Sequence, residues 1–228
     1  RVFLGLRTSW LSREAVILGK YMGMLSAAVG LLWMPVFADY VPEFVKDLIP
    51  GWAGSATLAF TIPVGIAGLY SSAMIYIATK RVLWRTPRTL IRFFGTAVVA
   101  GLAGTASIAS MTGHTSSAVL LGVMAASTLI AKFVWEYRVH FGGNSQDDWD
   151  RRSRRIVREH LSVWLHCRVV GFSLGVMLIV LGCVLAFASP VIAGILLGIG
   201  ALAAVIGDSF ERLMYFSSVV YDRMPGTL

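Results

Sequence analysis

Charged residues are scarce in this chain: only 14% of its 228 residues are Asp, Glu, Lys or Arg. A soluble domain carries roughly 25% charged residues, so this sequence has too few charges to cover a surface in water. Hydrophobic residues make up 57% of the chain, and the mean hydropathy is +0.73. The composition excludes an ordinary soluble enzyme and favours a helical protein that crosses a membrane several times.

Cysteine and histidine are also scarce, which limits the metal chemistry of the chain. Cys167 and Cys183 are the only cysteines, whereas an iron–sulfur cluster needs about four thiolates. A haem held by two histidines needs a pair at matched depth on facing helices, and the four histidines provide no such pair: His114, His140, His160 and His166. We therefore expect two buried free thiols, no metal site, no haem and no iron–sulfur cluster in this chain.

Apolar stretches predict about six transmembrane helices, each long enough to cross a hydrocarbon core about 30 Å thick. They lie near Glu14–Phe37, Trp52–Thr79, Thr89–Met111, Thr115–Tyr137, Leu161–Ala188 and Pro190–Tyr221. Very short links predict that the third and fourth helices, and the fifth and sixth, are antiparallel neighbours. No linker marks a second domain, so residues 1–228 are predicted to form one all-α membrane bundle. Three GxxxG pairs are expected to allow close helix packing: Gly19/Gly23, Gly171/Gly175 and Gly194/Gly198.

Basic and non-basic loops alternate along the chain. Arginines precede the first span and basic residues follow the second, whereas the loop between these spans is acidic on balance. By the positive-inside rule, the basic loops and both chain ends are expected to face the cytoplasm. Residues 137–160 form the longest basic cytoplasmic loop. It either lays an amphipathic helix on anionic headgroups or docks a soluble partner subunit.

Ionisable side chains near the spans are the candidate functional residues, because charges are costly at membrane depth. In the last span, Asp208, Glu211, Arg212 and Tyr215 recur at helical spacing and share one face. They form either a structural cluster, in which Asp208 and Arg212 can pair, or one wall of a polar pocket with a proton path to the cytoplasm.

Glu14 stands where the first span begins, and it shares a helical face with Leu18 and Tyr21. Ser12 precedes it as a possible N-cap. Glu14 then either complements the positive end of the helix dipole or takes part in proton chemistry. Both interpretations remain open from the sequence.

The second span carries a polar face at its end, formed by Ser72, Tyr76 and Lys80 at i, i+4 and i+8. Tyrosine is common at the membrane interface and lysine reaches toward headgroups along its aliphatic stem. This face is therefore either an interfacial anchor or part of a binding site.

Three stretches of the chain, taken in order, resemble the membrane-anchor subunits of dimethyl sulfoxide reductases. They are LRTSWLSREA at 6–15, SSAMIYIATKRVLW at 71–84 and GDSFERLMYFSSVVYDRMPG at 207–226. The resemblance covers essentially the whole chain, although Ala78 replaces a residue that is usually polar in the family. It implies about eight transmembrane helices in the full protein. Two helices and a segment with a quinol-site histidine would then precede Arg1.

The resemblance implies a haem-free subunit of a bacterial or archaeal inner membrane that binds menaquinone or ubiquinone. This subunit would serve a molybdenum oxidoreductase of the sulfoxide reductase or sulfite dehydrogenase type. Such a subunit exchanges electrons with a four-cluster iron–sulfur subunit, which serves a molybdopterin catalytic subunit. Glu14 aligns with the carboxylate of the family's quinol site and is the candidate catalytic residue, which accepts or relays a quinol proton. The expected quinone-binding residues are Arg7, Trp10, Arg13, Glu14, Tyr21 and Tyr76.

Two other functions remain open from the sequence. A small-solute transporter would place charges near the midplane of the bilayer and use broken helices, and Pro63 in the second span favours it. A purely structural tether would hold a soluble enzyme at the membrane without binding a quinone.

Overall fold

The computed structural model describes residues 9–33, 38–40, 42–79, 84–141 and 148–218, and every regular element in these ranges is helical. A 3-10 turn spans Ala38–Tyr40 between the first two α-helices. The α-helices are α1 (Trp10–Trp33), α2 (Glu43–Leu48), α3 (Ala53–Ile77), α4 (Thr86–Met111), α5 (Thr115–Phe141), α6 (Asp148–His160), α7 (Ser162–Leu185) and α8 (Pro190–Ser217).

Six of these helices are long and apolar enough to cross a membrane, namely α1, α3, α4, α5, α7 and α8. The prediction of an all-α fold with six spans is therefore confirmed. Helix α1 starts four residues before the predicted boundary, because Ser9 and not Ser12 lies at its beginning. The Ser9 hydroxyl accepts a hydrogen bond from the Ser12 backbone N–H at 3.3 Å, as an N-cap side chain does. Glu14 consequently lies one turn inside the helix.

The described helices fall into two compact units, Arg1–Thr79 and Lys80–Leu228. In the first unit, α1 and α3 pack along each other in antiparallel order. Gly68 lies against the Leu18 side chain, and Gly65 lies against the Tyr21 ring. These contacts confirm that Leu18 and Tyr21 share a face, and they show that this face is turned toward α3. The single domain predicted for residues 1–228 stays a prediction.

The second unit is a four-helix bundle in which each long helix has two long neighbours. Helix α4 packs on α5 and α8, and α7 also packs on α5 and α8. Gly113 has a φ of 82° and accommodates the tight reversal between α4 and α5, since glycine adopts this left-handed conformation without a Cβ clash. The antiparallel neighbours predicted from the short links are therefore found. The apolar centre of the bundle contains Val99, Leu129, Ile179 and Leu197.

Two of the three predicted glycine pairs lie at close helix contacts. A Cβ atom added to Gly171 would lie 2.7 Å from Gly207 Cα, and one added to Gly194 would lie 3.0 Å from the Ser107 carbonyl oxygen. Small residues let helix backbones approach in this way. The prediction is wrong for Gly19 and Gly23, where an added Cβ would meet no atom within 4 Å in the described structure.

The segment predicted as a basic loop, residues 137–160, is helical at both of its ends. Helix α5 continues to Phe141, and α6 spans Asp148–His160. Val157 is buried on one side of α6, whereas the side chains of Arg151 and Arg155 are 64% and 76% exposed. This division between a buried apolar side and a basic exposed side makes α6 amphipathic.

Candidate functional site

Four buried charges from three helices of the second unit form a closed ring, called here the charge ring. Lys132 and Glu136 of α5, Arg168 of α7 and Asp208 of α8 each contact two partners of opposite charge. Lys132 Nζ lies 2.7 Å from Glu136 Oε1 and 2.7 Å from Asp208 Oδ2. Arg168 Nη2 lies 2.8 Å from Glu136 Oε2 and 2.8 Å from Asp208 Oδ1.

A second buried ion pair, Arg92 with Glu211, lies in the same bundle. Arg92 Nε of α4 donates a hydrogen bond to Glu211 Oε1 of α8. The guanidinium carbon of Arg92 lies 4.1 Å from the centroid of the Tyr215 ring, and the Tyr215 hydroxyl lies 2.6 Å from Thr89 Oγ1. Cation–π contact and hydrogen bonding thus hold the arginine where α4 faces α8.

These six charges balance, since three cations face three carboxylates. Each of the six side chains is at most 4% exposed. Removing charges from water costs several kcal/mol per ion, and mutual attraction offsets this cost only when every charge has a partner. Thr96 adds to the pairing, because its hydroxyl donates a hydrogen bond to Asp208 Oδ2 at 2.6 Å. The arrangement is electrically neutral, and it leaves no charged member of the charge ring without an opposite charge.

Close approach of α7 and α8 is what lets Arg168 reach Asp208. An added Cβ atom at Gly207 would lie 3.1 Å from Arg168 Nη1 and 3.2 Å from Gly171 Cα. A larger residue at this position would press on both the guanidinium and the facing backbone. The small residues Gly171 and Gly207 therefore allow the backbones of α7 and α8 to pack closely, and they also allow Arg168 to contact Asp208.

In the structure, Asp208, Glu211 and Tyr215 of the last span are buried. The predicted pairing of Asp208 with Arg212 is wrong, because Asp208 pairs with Lys132 and Arg168 on facing helices. The Arg212 guanidinium instead lies 4.7 Å from the centroid of the Phe93 ring. Arg212 thus contacts an aromatic ring at the side of this cluster.

Sequence reasoning missed the cationic half of the cluster and Glu136. Lys132 and Glu136 lie inside the fourth span, where a charged pair at i and i+4 was a usable signal. Arg92 and Arg168 lie near the ends of their spans, where basic residues are common at the membrane interface, so their burial gives no clear signal in the sequence. His166 itself is exposed, with its Nδ1 atom 2.7 Å from the Ser162 carbonyl oxygen of its own helix. Cys167 and Cys183 are free and partly buried.

A cavity of about 270 Å³ lies beside the two ionic groups. Helices α5, α7 and α8 supply its walls, and three charged residues, Glu136, Arg168 and Glu211, line it. The remaining lining residues are Phe133, Tyr137, Leu165, Val169 and Met214. The cavity thus combines a largely hydrophobic wall with buried ionic groups.

Glu14 lies within the first unit, where α1 contacts α3. The Ser72 hydroxyl donates a hydrogen bond to Glu14 Oε1, and it also lies 3.1 Å from the Gly68 carbonyl oxygen. Ser72 is buried and Glu14 is half-buried. The face that Glu14 shares with Leu18 and Tyr21 is therefore a packed helix surface on which the carboxylate has a specific partner.

The aromatic and basic residues predicted around Glu14 lie in different environments. The Trp10 ring lies edge-on to Tyr70, with centroids 6.2 Å apart, and the Arg13 guanidinium lies 4.9 Å from the Trp10 ring. Tyr21 packs against Gly65, two turns further along α1 from Glu14. Tyr76 is half-buried near the end of α3, and Arg7 lies outside the described residues. Their roles in quinone binding stay predictions.

Comparison with known proteins finds no protein-family model, no curated protein and no solved structure that this chain matches. The resemblance to dimethyl sulfoxide reductase anchors therefore rests on the three quoted stretches alone.

Proposed function

We propose that this chain is the quinone-reactive membrane anchor of a molybdenum oxidoreductase. It would bind a quinol or quinone and exchange electrons with an iron–sulfur subunit, while a separate molybdopterin subunit performs the terminal reaction. The observation that carries the proposal is the Glu14 carboxylate, held by Ser72 on a membrane-spanning helix. Glu14 also stands in the LRTSWLSREA stretch, the first of the three that resemble the anchor family.

The hydrogen bonds of Ser72 favour a proton-accepting role for Glu14. A serine hydroxyl has one hydrogen, and two acceptors, Glu14 Oε1 and the Gly68 carbonyl oxygen, compete for it. When Glu14 is protonated, it can donate to Ser72, and Ser72 can then donate to Gly68. Both bonds are satisfied only in that state, so the pair offers a defined place for a proton.

The residues near Glu14 fit a quinone in their chemistry. A bound quinol would supply two electrons and two protons to the complex. Glu14 offers a carboxylate that can hold a proton, and the Trp10 side chain offers an aromatic surface close to it in sequence. Arg13, whose guanidinium lies 4.9 Å from the centroid of the Trp10 ring, supplies a positive charge one residue before Glu14 in the sequence.

The proposed partner subunit would bind the basic surfaces on the cytoplasmic side. Helix α6 carries five arginines against three carboxylates. Arg151 and Arg155 are exposed and each pairs with a carboxylate of the same helix, so the helix keeps a net positive charge. Positive patches of this kind steer an acidic partner and fix its register. The iron–sulfur subunit would thereby be held at the same membrane face as the basic loops.

The test uses the whole complex, purified gently from its native membrane. The proposal expects molybdenum and about sixteen irons per chain, as four four-iron clusters require. Glu14→Gln should lower turnover with decylubiquinol or menadiol by roughly 10²- to 10⁴-fold, the usual contribution of a positioned acid or base. The metal content should not change, because the substitution leaves the helix surface intact.

Glu43→Gln is the matched control, since Glu43 is an exposed carboxylate on the short helix α2. It should retain full quinol turnover. A Glu14→Gln complex with normal turnover would refute the role of Glu14. A folded chain that carries neither molybdenum nor iron would refute the anchor function itself.

A small-solute transporter is the second candidate, and the charge ring favours it. Lys132 lies about 10 Å along α5 from the end of that span at Val139, at 1.5 Å per residue. Buried ionisable residues in spans often mark ion or substrate pathways. Proteoliposomes that contain the chain and accumulate a solute or protons, with no electron-transfer partner present, would favour this candidate over the anchor.

A further inference from the structure

We infer that the cavity in the four-helix bundle binds an uncharged membrane amphiphile with a hydroxyl-bearing head. The cavity volume, about 270 Å³, approaches the lower end of the range of small-molecule sites, roughly 300–1,000 Å³. All of its lining residues belong to the second unit. The inference therefore concerns residues other than those around Glu14, and it does not depend on the proposed quinol chemistry.

A buried donor without a partner indicates that the cavity suits a ligand with a polar group. Arg168 and Glu136 both line it, and their side chains are 2% and 4% exposed. Among the described residues, Arg168 Nη1 has no hydrogen-bond partner. Glu136 Oε1 lies 2.7 Å from Lys132 Nζ, and a carboxylate oxygen can accept a second hydrogen bond. A buried donor or acceptor left without a bond costs roughly 1–3 kcal/mol. A ligand that completes these bonds would recover that free energy.

The charge of the site selects a neutral head. The charge ring contains two cations and two carboxylates, and Arg92 pairs with Glu211. A charged ligand would bring an unpaired charge into this water-poor interior, at a cost of several kcal/mol. A neutral hydroxyl avoids this cost. It can accept a hydrogen bond from Arg168 Nη1 and donate one to Glu136 Oε1.

The remaining walls of the cavity are apolar and favour a ligand with a hydrophobic chain or ring. Phe133, Leu165, Val169 and Met214 present apolar surface to the cavity. Val169 and Tyr137 are also exposed on the outside of the bundle, and both lie in or next to membrane-spanning segments. An amphiphile dissolved in the bilayer can therefore enter at this rim. Two sources share the required chemistry, a glycerolipid alcohol and an isoprenoid quinol.

The first measurement is native mass spectrometry of the purified complex with two probes that carry the same acyl chain, monoolein and oleate. Monoolein has neutral hydroxyls, whereas oleate has a carboxylate. Monoolein should bind, and oleate should bind at least tenfold more weakly. Equal or tighter binding of oleate would overturn the selection of a neutral head. Absence of a monoolein adduct would overturn the proposed binding site. The cavity would then hold water, with room for roughly nine molecules of about 30 Å³ each.

Val169→Trp is designed to fill the cavity while leaving the charge ring in place. Val170→Trp is its matched control, because Val170 is the adjacent exposed valine and does not line the cavity. The first variant should weaken monoolein binding at least tenfold, and the control should leave it unchanged. If Val169→Trp lowers the yield of folded protein, Val169→Phe makes the same test with a smaller ring. Unchanged binding in a folded Val169 variant would overturn the inference.

Extraction of the wild-type complex distinguishes the two sources. A retained glycerolipid identifies a lipid site, and a retained quinol identifies a second quinol position. Glu14→Gln should leave monoolein binding unchanged, so failure of the proposed quinol chemistry and failure of this cavity site give separate results.

Discussion

Lys132 and Glu136 lie one turn apart on α5, and their Nζ and Oε1 atoms are 2.7 Å apart in the interior of the four-helix bundle. Arg155 and Glu159 have the same spacing on α6, with Nε and Oε1 2.8 Å apart on an exposed surface. The two pairs share a local geometry and differ in burial. They therefore allow the energetic role of burial to be measured within one chain.

Glu136→Gln should destabilise the bundle by about 3–5 kcal/mol, because it leaves Lys132 and Arg168 without one of their two counter-charges in a buried site. Glu159→Gln should cost no more than about 0.5 kcal/mol, as is usual for an exposed pair at i and i+4. Unfolding of each variant in mixed detergent micelles measures the difference. If both variants lost the same free energy of unfolding, the buried charge ring would contribute no more to stability than the exposed pair on α6.

Gly171→Ala should destabilise the contact of α7 with α8 by about 1–3 kcal/mol. The added Cβ would lie 2.7 Å from Gly207 Cα, and a backbone atom cannot rotate away as a side chain can. Gly104→Ala is the control, since a Cβ there meets no atom within 4 Å in the described structure. That variant should be neutral or slightly stabilising, because alanine favours helix. A thermal unfolding series that ranks the two variants in reverse order would contradict the packing argument.

Ser72→Ala should lower quinol turnover roughly 10- to 150-fold, the effect of losing one hydrogen bond of about 1.5–3 kcal/mol to a charged group. The double variant Glu14→Gln with Ser72→Ala should turn over no more slowly than Glu14→Gln alone, because the two residues act as one unit. Ser71→Ala, at the adjacent buried serine, is the control and should keep its rate. Fully additive losses would argue that Ser72 acts independently of Glu14.

The predicted orientation places α2 and α6 on opposite sides of the membrane. In a variant without Cys167 and Cys183, a cysteine at Lys46 should react with a membrane-impermeant maleimide added outside intact spheroplasts. A cysteine at Arg151 should react only after permeabilisation. Both positions are exposed, so access to the reagent depends on the membrane. Labelling in the reverse order would invert the topology and place Glu14 at the outer face.

The sequence predicted the spans well, because a run of about twenty apolar residues has few alternatives to a membrane helix. It also predicted the shared face of Leu18 and Tyr21, since helical periodicity decides which residues lie together. Helix ends were less accurate. For α1 the difference comes from one hydrogen bond, in which Ser9 rather than Ser12 accepts at the start of the helix.

The charge ring shows which contacts helical periodicity in the sequence cannot predict. Asp208, Glu211 and Tyr215 were found because they repeat along one helix, but their partners lie on other helices, far away in sequence. Arg92 and Arg168 stand near the ends of their spans, where an arginine is usually exposed to headgroups or water. Lys132 and Glu136 were hidden in an apolar window, where two charges barely alter the mean hydropathy.

The sequence by itself determined the class of this protein, since its composition permits only a multi-pass helical fold and its local spacing specifies the helix faces. Tertiary structure alone decided the partners: Asp208 with Lys132 and Arg168 rather than with Arg212, and Glu14 with Ser72. The physical reason is that a buried charge is stable only beside an opposite charge, and helix packing decides which opposite charge lies beside it. That packing depends on close contacts such as Gly171 against Gly207, which join residues far apart in the chain.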